Sequence, residues 1–305
     1  MFDPALTCCY LYPITKYGYP PPAEETPRHL EEMKALGFRS VELEGIREAH
    51  LLAVYAQRQA LREHIHALEL QVPYFCVVLP GLSAAEAATR RHNLRLFEKG
   101  CEIAHLLGAH GVFDNAPLPP YQFPEDIPVA RHYDAEVLHA AFLPPDLDWK
   151  RYWNDLAQTY RAACDIAARH DLTYQMHPCL GVLCATADGF LRFHDAVGRD
   201  NLRFTFDTAN QFVQKENLAL SLRRLAAYVD YIHISDNRGL QVEHLAPGEG
   251  TIAWEAFFET LDVIGFDGHL GLDIGGAESD IADIDAAYRQ AAHWLTARWN
   301  APTSS

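Results

Sequence analysis

Four short apolar runs in the second half of the chain each end in a side chain that can donate to a metal: Tyr174-Gln175-Met176-His177, Phe204-Thr205-Phe206-Asp207, Tyr231-Ile232-His233 and Leu270-Gly271-Leu272-Asp273. Each run is β-prone and is followed by residues that open a turn or a helix, so the four side chains fall at the carboxyl ends of four strands. In a closed parallel barrel those ends converge on one mouth. Two imidazoles and two carboxylates meeting there suit one divalent cation. His177, Asp207, His233 and Asp273 are the expected ligands, with Mn²⁺ the first choice and Mg²⁺, Co²⁺, Fe²⁺ or Zn²⁺ as alternatives.

Taken singly, each residue has a plainer reading. A lone histidine at a strand end is usually a hydrogen-bonded structural residue, and Asp207 can cap the helix that follows it. Equivalent placement on four successive strands favours ligands instead, and an acid directly after Phe204-Thr205-Phe206 is costly to bury without a cation. In His233-Ile234-Ser235-Asp236-Asn237-Arg238, Asp236 either orients His233 or binds substrate, and Arg238 can grip a hydroxyl or carbonyl oxygen. Both also read as local salt-bridge partners. Glu42 and Glu44 alternate with Val41 and Leu43, so both face the barrel interior, and Glu44 is a candidate base. Asp273 and a lid histidine, His132, are the other candidate bases; in the ligand set Glu278 is a weaker substitute for Asp273. Asp114, Asn115 and Asn210 complete the expected substrate contacts. Cys179 and Cys184 lie near His177 in sequence, but thiolates would make the site softer than its other ligands, so they read as ordinary loop thiols.

The elements that must position these groups alternate. A strand over Leu6–Tyr12, a proline-rich loop and a helix over Glu24–Leu36 lead to a strand over Phe38–Leu43, a helix over Arg47–Leu68 and a strand over Leu70–Val78. Ser83 reads as the N-cap of the next helix, which Gly108 ends before a strand over His110–Phe113. The irregular stretch from Asp114 to Asp146 is long enough to be a lid over the mouth. Its Tyr121, Phe123, Tyr133 and Phe142 can stack on a sugar, and His132 or His139 can shuttle a proton. Helices over Leu147–His170, Thr186–Val197, Leu218–Tyr228, Trp254–Ile264 and Asp280–Trp299 then alternate with strands over Leu172–His177, Leu202–Asp207, Tyr231–Ile234 and His269–Asp273. Eight such units imply an α/β fold, a single-domain (β/α)8 TIM barrel running from residue 1 to residue 305 with a long loop after its fourth strand.

Composition narrows the function. Acidic residues number 41 against 25 basic ones, a net charge of −16, which argues against nucleic acid or an anionic membrane as partner. Seven cysteines show neither zinc-ribbon nor disulfide-scaffold spacing. Met1-Phe2-Asp3-Pro4 does not open a signal peptide, so a cytoplasmic enzyme with a small-molecule substrate is expected, with a homo-oligomer allowed.

The chain resembles the xylose isomerase-like barrel superfamily of sugar isomerases and epimerases, with endonuclease IV as a remoter relation. Phe206-Asp207-Thr208-Ala209-Asn210, His233-Ile234-Ser235-Asp236-Asn237 and Pro247-Gly248-Glu249-Gly250-Thr251-Ile252-Ala253-Trp254 carry the likeness, together with Ile264-Gly265-Phe266-Asp267-Gly268. In the epimerase branch Glu, Asp, His and Glu hold the metal, and the two glutamates also move protons. The resemblance matches Asp207 and His233 to that pattern, and puts His177 and Asp273 where the glutamates are expected. The change leaves two anionic ligands, so a divalent cation gives a formally neutral site; it also shortens one carboxylate by about 1.5 Å. What the resemblance implies is a metal-dependent sugar isomerase or epimerase working through a metal-stabilised enediolate on a keto or aldo sugar or a polyol-derived ketone. The alternatives are a lyase or dehydratase of a keto-sugar, keto-inositol or 3-keto-glycoside, and a barrel that binds metal or carbohydrate without catalysis.

Overall fold

The computed structural model describes residues 1–115, 117–124 and 133–299. Its strands are β1 (Leu6–Cys8), β2 (Ser40–Val41), β3 (Leu43–Ile46), β4 (Tyr74–Val78), β5 (Gly111–Asn115), β6 (Thr173–His177), β7 (Leu202–Asp207), β8 (Tyr231–Ile234) and β9 (His269–Leu272). They form one sheet in the order β2-β1-β9-β8-β7-β6-β5-β4-β3, parallel throughout. Only Glu42 separates β2 from β3, so the two ends of that order are halves of one stave. The sheet therefore closes into a single-domain parallel α/β barrel.

Helices cover the outside, and caps mark where several begin. Asp148 accepts the Arg151 N–H at 3.1 Å to start Trp149–Arg169, and Thr186 accepts the Gly189 N–H at 3.1 Å to start Ala187–Val197. Four local expectations change. Leu11–Tyr17 is a helix rather than strand end and loop, because Pro13 sits in the first turn, where its missing N–H has no intrahelical acceptor to lose. The helix expected over Arg47–Leu68 is two, Arg47–Ala56 and Arg58–Ala67, broken at Gln57. Ser83 closes a 3-10 turn, Pro80–Ser83, and the helix Ala87–Leu107 starts after Glu86. Asp207 is followed at once by a short helix, Thr208–Val213.

Inside the barrel the tyrosine rings of Tyr74 and Tyr231 stack at 4.3 Å, Thr205 donates to Gln175 at 3.0 Å, and Gln175 donates to Asp230 at 2.5 Å. This satisfied polar layer forms the floor on which the mouth residues stand. Among the described residues no helix is long and apolar enough to cross a membrane.

Candidate metal centre at the barrel mouth

Strand alternation aims His177, Asp207 and His233 inward from the ends of β6 and β7 and from β8. One donor atom from each lies within 4.8 Å of the other two. His177 Nε2 is 3.0 Å from Asp207 Oδ2, and the rings of His177 and His233 are 4.8 Å apart. Asp273, the first residue after β9, brings Oδ2 to 3.6 Å from His233 Nδ1. All four are buried, Asp207 and Asp273 completely. Close packing makes room for them: Gly271 stands opposite His233 in the sheet, and a Cβ there would lie 2.6 Å from both Cys9 Sγ and the Tyr231 hydroxyl oxygen.

The donors have outer partners. Glu42, at the break between β2 and β3, accepts from His233 Nε2 at 3.0 Å, from the Tyr231 hydroxyl at 2.6 Å and from the Tyr10 N–H at 3.2 Å. His233 Nδ1 is then left with no hydrogen-bond partner among the described residues while facing Asp273. A buried imidazole fixed by a carboxylate through one nitrogen, with the other aimed at carboxylates, fits a cation ligand. Cys179 Sγ lies 3.5 Å from His177 Nδ1 and donates to Asn115 Oδ1 at 3.3 Å, so this thiol supports the site from outside. Asp207 Oδ1 also caps the Thr208–Val213 helix, accepting the Asn210 N–H at 2.7 Å.

Electrostatics separates the two imidazoles. Burial pushes His177 below the usual histidine range, an effect that Asp207 offsets only in part. Burial acts the same way on His233, but Cys9, Glu42 and Asp273 around it outweigh that and raise it well above the usual range. Asp207 is held low: burial raises it, and its hydrogen bond with His177 more than reverses the effect. His177, Asp207 and His233 are buried with converging donors, Asp273 alongside them, and these donor types are consistent with a site for a borderline divalent ion.

Other expected site residues divide. Glu44 and Asn115 line a cavity of about 10 Å³ with His177 and His233, room for a water-sized occupant beside the ligands. Asp114 is not there. Asn115 pairs with His177 and Asp114 with Met176, so Asp114 points outward beneath the helices, near Tyr160 and Tyr174, where burial pushes its carboxyl well up. Asp236 is buried with its carboxylate accepting from the Asn237, Gly248 and Ile252 N–H groups and the Trp254 indole, at 2.8 to 3.2 Å. That leaves it serving the loop rather than a ligand. Arg238 is largely exposed and bound to Glu243 through its backbone and guanidinium. The Asn210 amide is buried with neither polar atom hydrogen-bonded among the described residues. His132 lies outside the described residues.

A second, larger cleft of about 860 Å³ opens above, walled by Leu11, Tyr19, Tyr133, Leu180, Leu240 and Glu278 among others. Tyr19 lines both spaces and so marks where they adjoin. Sequence reasoning missed Glu42 as the partner of His233, the contact of Cys179 with His177, and His244, whose Nδ1 lies 3.5 Å from Asp273 Oδ2. Only the alternation Val41-Glu42-Leu43-Glu44 gave a signal for the first of these.

A family profile described as a xylose isomerase-like TIM barrel matches residues 30–298. An uncharacterized protein of Methanocaldococcus jannaschii is 27% identical over 146 residues, 45% of this chain and 49% of that protein, so the match spans about half the relative's length. Among solved structures, an L-ribulose 3-epimerase superposes with a TM-score of 0.73 at 18% identity, covering 96% of this chain and 94% of the other. A D-psicose 3-epimerase from Clostridium cellulolyticum H10 gives 0.72 at 17% identity, covering 99% and 100%. At such identities these two show the shared fold.

Proposed function

The chain belongs to the xylose isomerase-like TIM-barrel family, and from that premise we propose that it is a divalent-metal-dependent sugar isomerase or epimerase acting on a keto or aldo sugar or a polyol-derived ketone. The observation that carries this reading is the convergence of His177, Asp207 and His233, with Asp273 alongside and His233 already oriented by Glu42. A cation held by these four would supply Lewis acidity, polarising a substrate carbonyl and making the neighbouring carbon acidic. Glu44 is the base for that carbon's proton, since it lines the cavity beside His177 and His233. Tyr19 and Tyr133 offer the cleft aromatic surface for the apolar face of a sugar ring. The names of the similar structures, a 3-epimerase of L-ribulose and one of D-psicose, support a carbohydrate substrate.

Metal analysis of the purified protein, followed by incubation of the Mn²⁺-loaded form with L-ribulose, D-psicose, D-tagatose and a 3-keto-glucoside, tests this. Stoichiometric metal, lost in Asp207→Ala, and conversion of a sugar at unchanged mass are expected. Loss of water or of an aglycone would make it a lyase. A folded protein that takes up no divalent ion would sink the reading.

A further inference from the structure

Inverting a carbon requires a proton to leave one face and another to reach the opposite face, so an epimerase needs two proton-moving groups. Glu44 supplies one. An imidazole whose lone pair is given to a cation has none for a carbon acid, which removes His177 and His233. Asp207 has its oxygens engaged by the Asn210 N–H and His177, and Asp273 is sealed behind His233 and His244. Resting on the epimerase reading of the site, we propose that Glu278 is the second acid–base residue, working from the cleft while Glu44 works from the small cavity.

The backbone after β9 is shaped to put that carboxylate there. Gly275 and Gly276 adopt φ of 112° and 84°, a region side chains avoid. A Cβ on Gly275 would overlap Thr15 Oγ1, and one on Gly276 would overlap the Glu278 carboxylate itself. The Gly275 N–H donates to the His244 carbonyl at 3.0 Å, and the Gly276 N–H donates to Thr15 Oγ1 at 2.8 Å. So pinned, the chain turns back and lays Glu278 against Gly276, with its side chain 24% exposed on the cleft wall.

His244 sets the distance from there to the metal centre. Its Nε2 is 3.8 Å from Glu278 Oε1 and its Nδ1 is 3.5 Å from Asp273 Oδ2. The ring is itself fixed, with Nδ1 within 3.0 Å of Ser235 Oγ and 3.1 Å of the Asp273 carbonyl. It is a positioning residue: one rigid ring spans the gap between the last expected ligand and the cleft carboxylate.

The step balances without a co-reactant. The C–H bond beside the carbonyl breaks, its electron pair becomes the C=C bond of an enediolate as the carbonyl π pair moves to oxygen, and the proton passes to Glu44. Protonated Glu278 then gives its proton to the same carbon from the cleft side, restoring the carbonyl with inverted configuration. Each turnover leaves Glu44 protonated and Glu278 ionised, and water in the cleft resets both. The reverse reaction exchanges their roles.

The test uses Mn²⁺-loaded full-length protein in D₂O with three pairs of C3 epimers: D-fructose and D-psicose, D-tagatose and D-sorbose, L-ribulose and L-xylulose. In Glu278→Gln, deuterium should still enter C3 of one member of the converted pair while interconversion falls about 100-fold or more. In Glu44→Gln, deuterium should enter only the other member. Mn²⁺ affinity measured by calorimetry should not change in Glu278→Gln. Interconversion near the wild-type rate in that variant, equal loss of exchange into both epimers, or loss of the metal would each overturn the assignment. A wild-type protein that binds Mn²⁺ yet exchanges none of the six sugars overturns the epimerase reading, and the role of Glu278 falls with it.

Discussion

Whether His233 can ligate through Nδ1 depends on where its one ring proton sits in the neutral state. Glu42 decides that, because all three of its contacts bring donors to it: Oε2 accepts from His233 and Tyr231, and Oε1 accepts from the Tyr10 N–H. With the proton on Nε2, the Nδ1 lone pair is free for a cation. Glu42→Gln keeps the shape but must set its NH₂ group against one of those donors, whichever way the amide turns. Mn²⁺ affinity should then drop about 10- to 100-fold, the usual cost of losing such an outer partner, while the protein stays folded. Unchanged affinity in a calorimetric titration would show that His233 is not a ligand through Nδ1. The convergence of His177, Asp207 and His233 was legible in sequence because each ends an apolar run; the partner was not, since 191 residues separate Glu42 from His233 and only barrel closure brings them together. Asp114 was misplaced for a related reason. At the end of a strand, one step of register decides between the mouth and the helix layer, and sequence does not display that step.

The loop after β8 shows what a recognisable motif does physically. Pro247-Gly248-Glu249-Gly250-Thr251-Ile252-Ala253-Trp254 wraps Asp236, whose carboxylate takes two N–H groups and the indole of that segment, and a Cβ on Gly250 would overlap Asp236 Oδ1. The motif marked the family while pointing to structure: Asp236, open in sequence between orienting His233, binding substrate and a local ion pair, serves this loop. Asp236→Ala should destabilise the protein by about 2–4 kcal/mol in urea unfolding, because several buried donors lose a charged acceptor. Mn²⁺ affinity should survive; its loss would return Asp236 to the site. A second element depends on pH. His50 Nδ1 accepts the Ile46 N–H at 3.0 Å at the start of the Arg47–Ala56 helix, which has no side-chain cap, and burial lowers its pKa to about 4. Unfolded, the ring titrates near 6.5, so between 6.5 and 4 the unfolded chain binds the extra proton. The His50 contribution is therefore complete above pH 6.5 and is lost as pH falls toward 4. His50→Gln should flatten that part of the melting-temperature profile; an identical acid slope in wild type and variant would refute it. The helix start at Thr186 was legible because its hydroxyl acts on its own turn, whereas the start after Asp148 and not at Leu147, the break at Gln57 and the Leu11–Tyr17 helix were not: they arise from packing and from where a proline falls in a turn.

A closed barrel has no sheet edge, so its loops can be altered with little effect on the core, and the mouth is where such change bears on chemistry. The excursion between β5 and the helix Trp149–Arg169 is held at its base by paired bonds between Gln122 and Phe142, each N–H to the other's carbonyl at 2.8 Å. Tyr133, Asp134, Ala135 and Glu136 from within it wall the 860 Å³ cleft. Of the four aromatics expected to face a sugar, Tyr133 lines that cleft, whereas Phe142 is 49% exposed to solvent. The Gln122–Phe142 bridge means the part between can be removed while the flanking chain keeps its place. Joining Gln122 to Phe142 through a short Gly-Ser linker should leave Mn²⁺ content and melting temperature nearly unchanged, because none of the four expected ligands lies there. Turnover should fall about 10²-fold, because the substrate loses one wall of its cleft and water reaches the acidic carbon. Full turnover in the folded variant would show that the excursion plays no part in holding substrate, and loss of metal would mean that it helps build the centre itself.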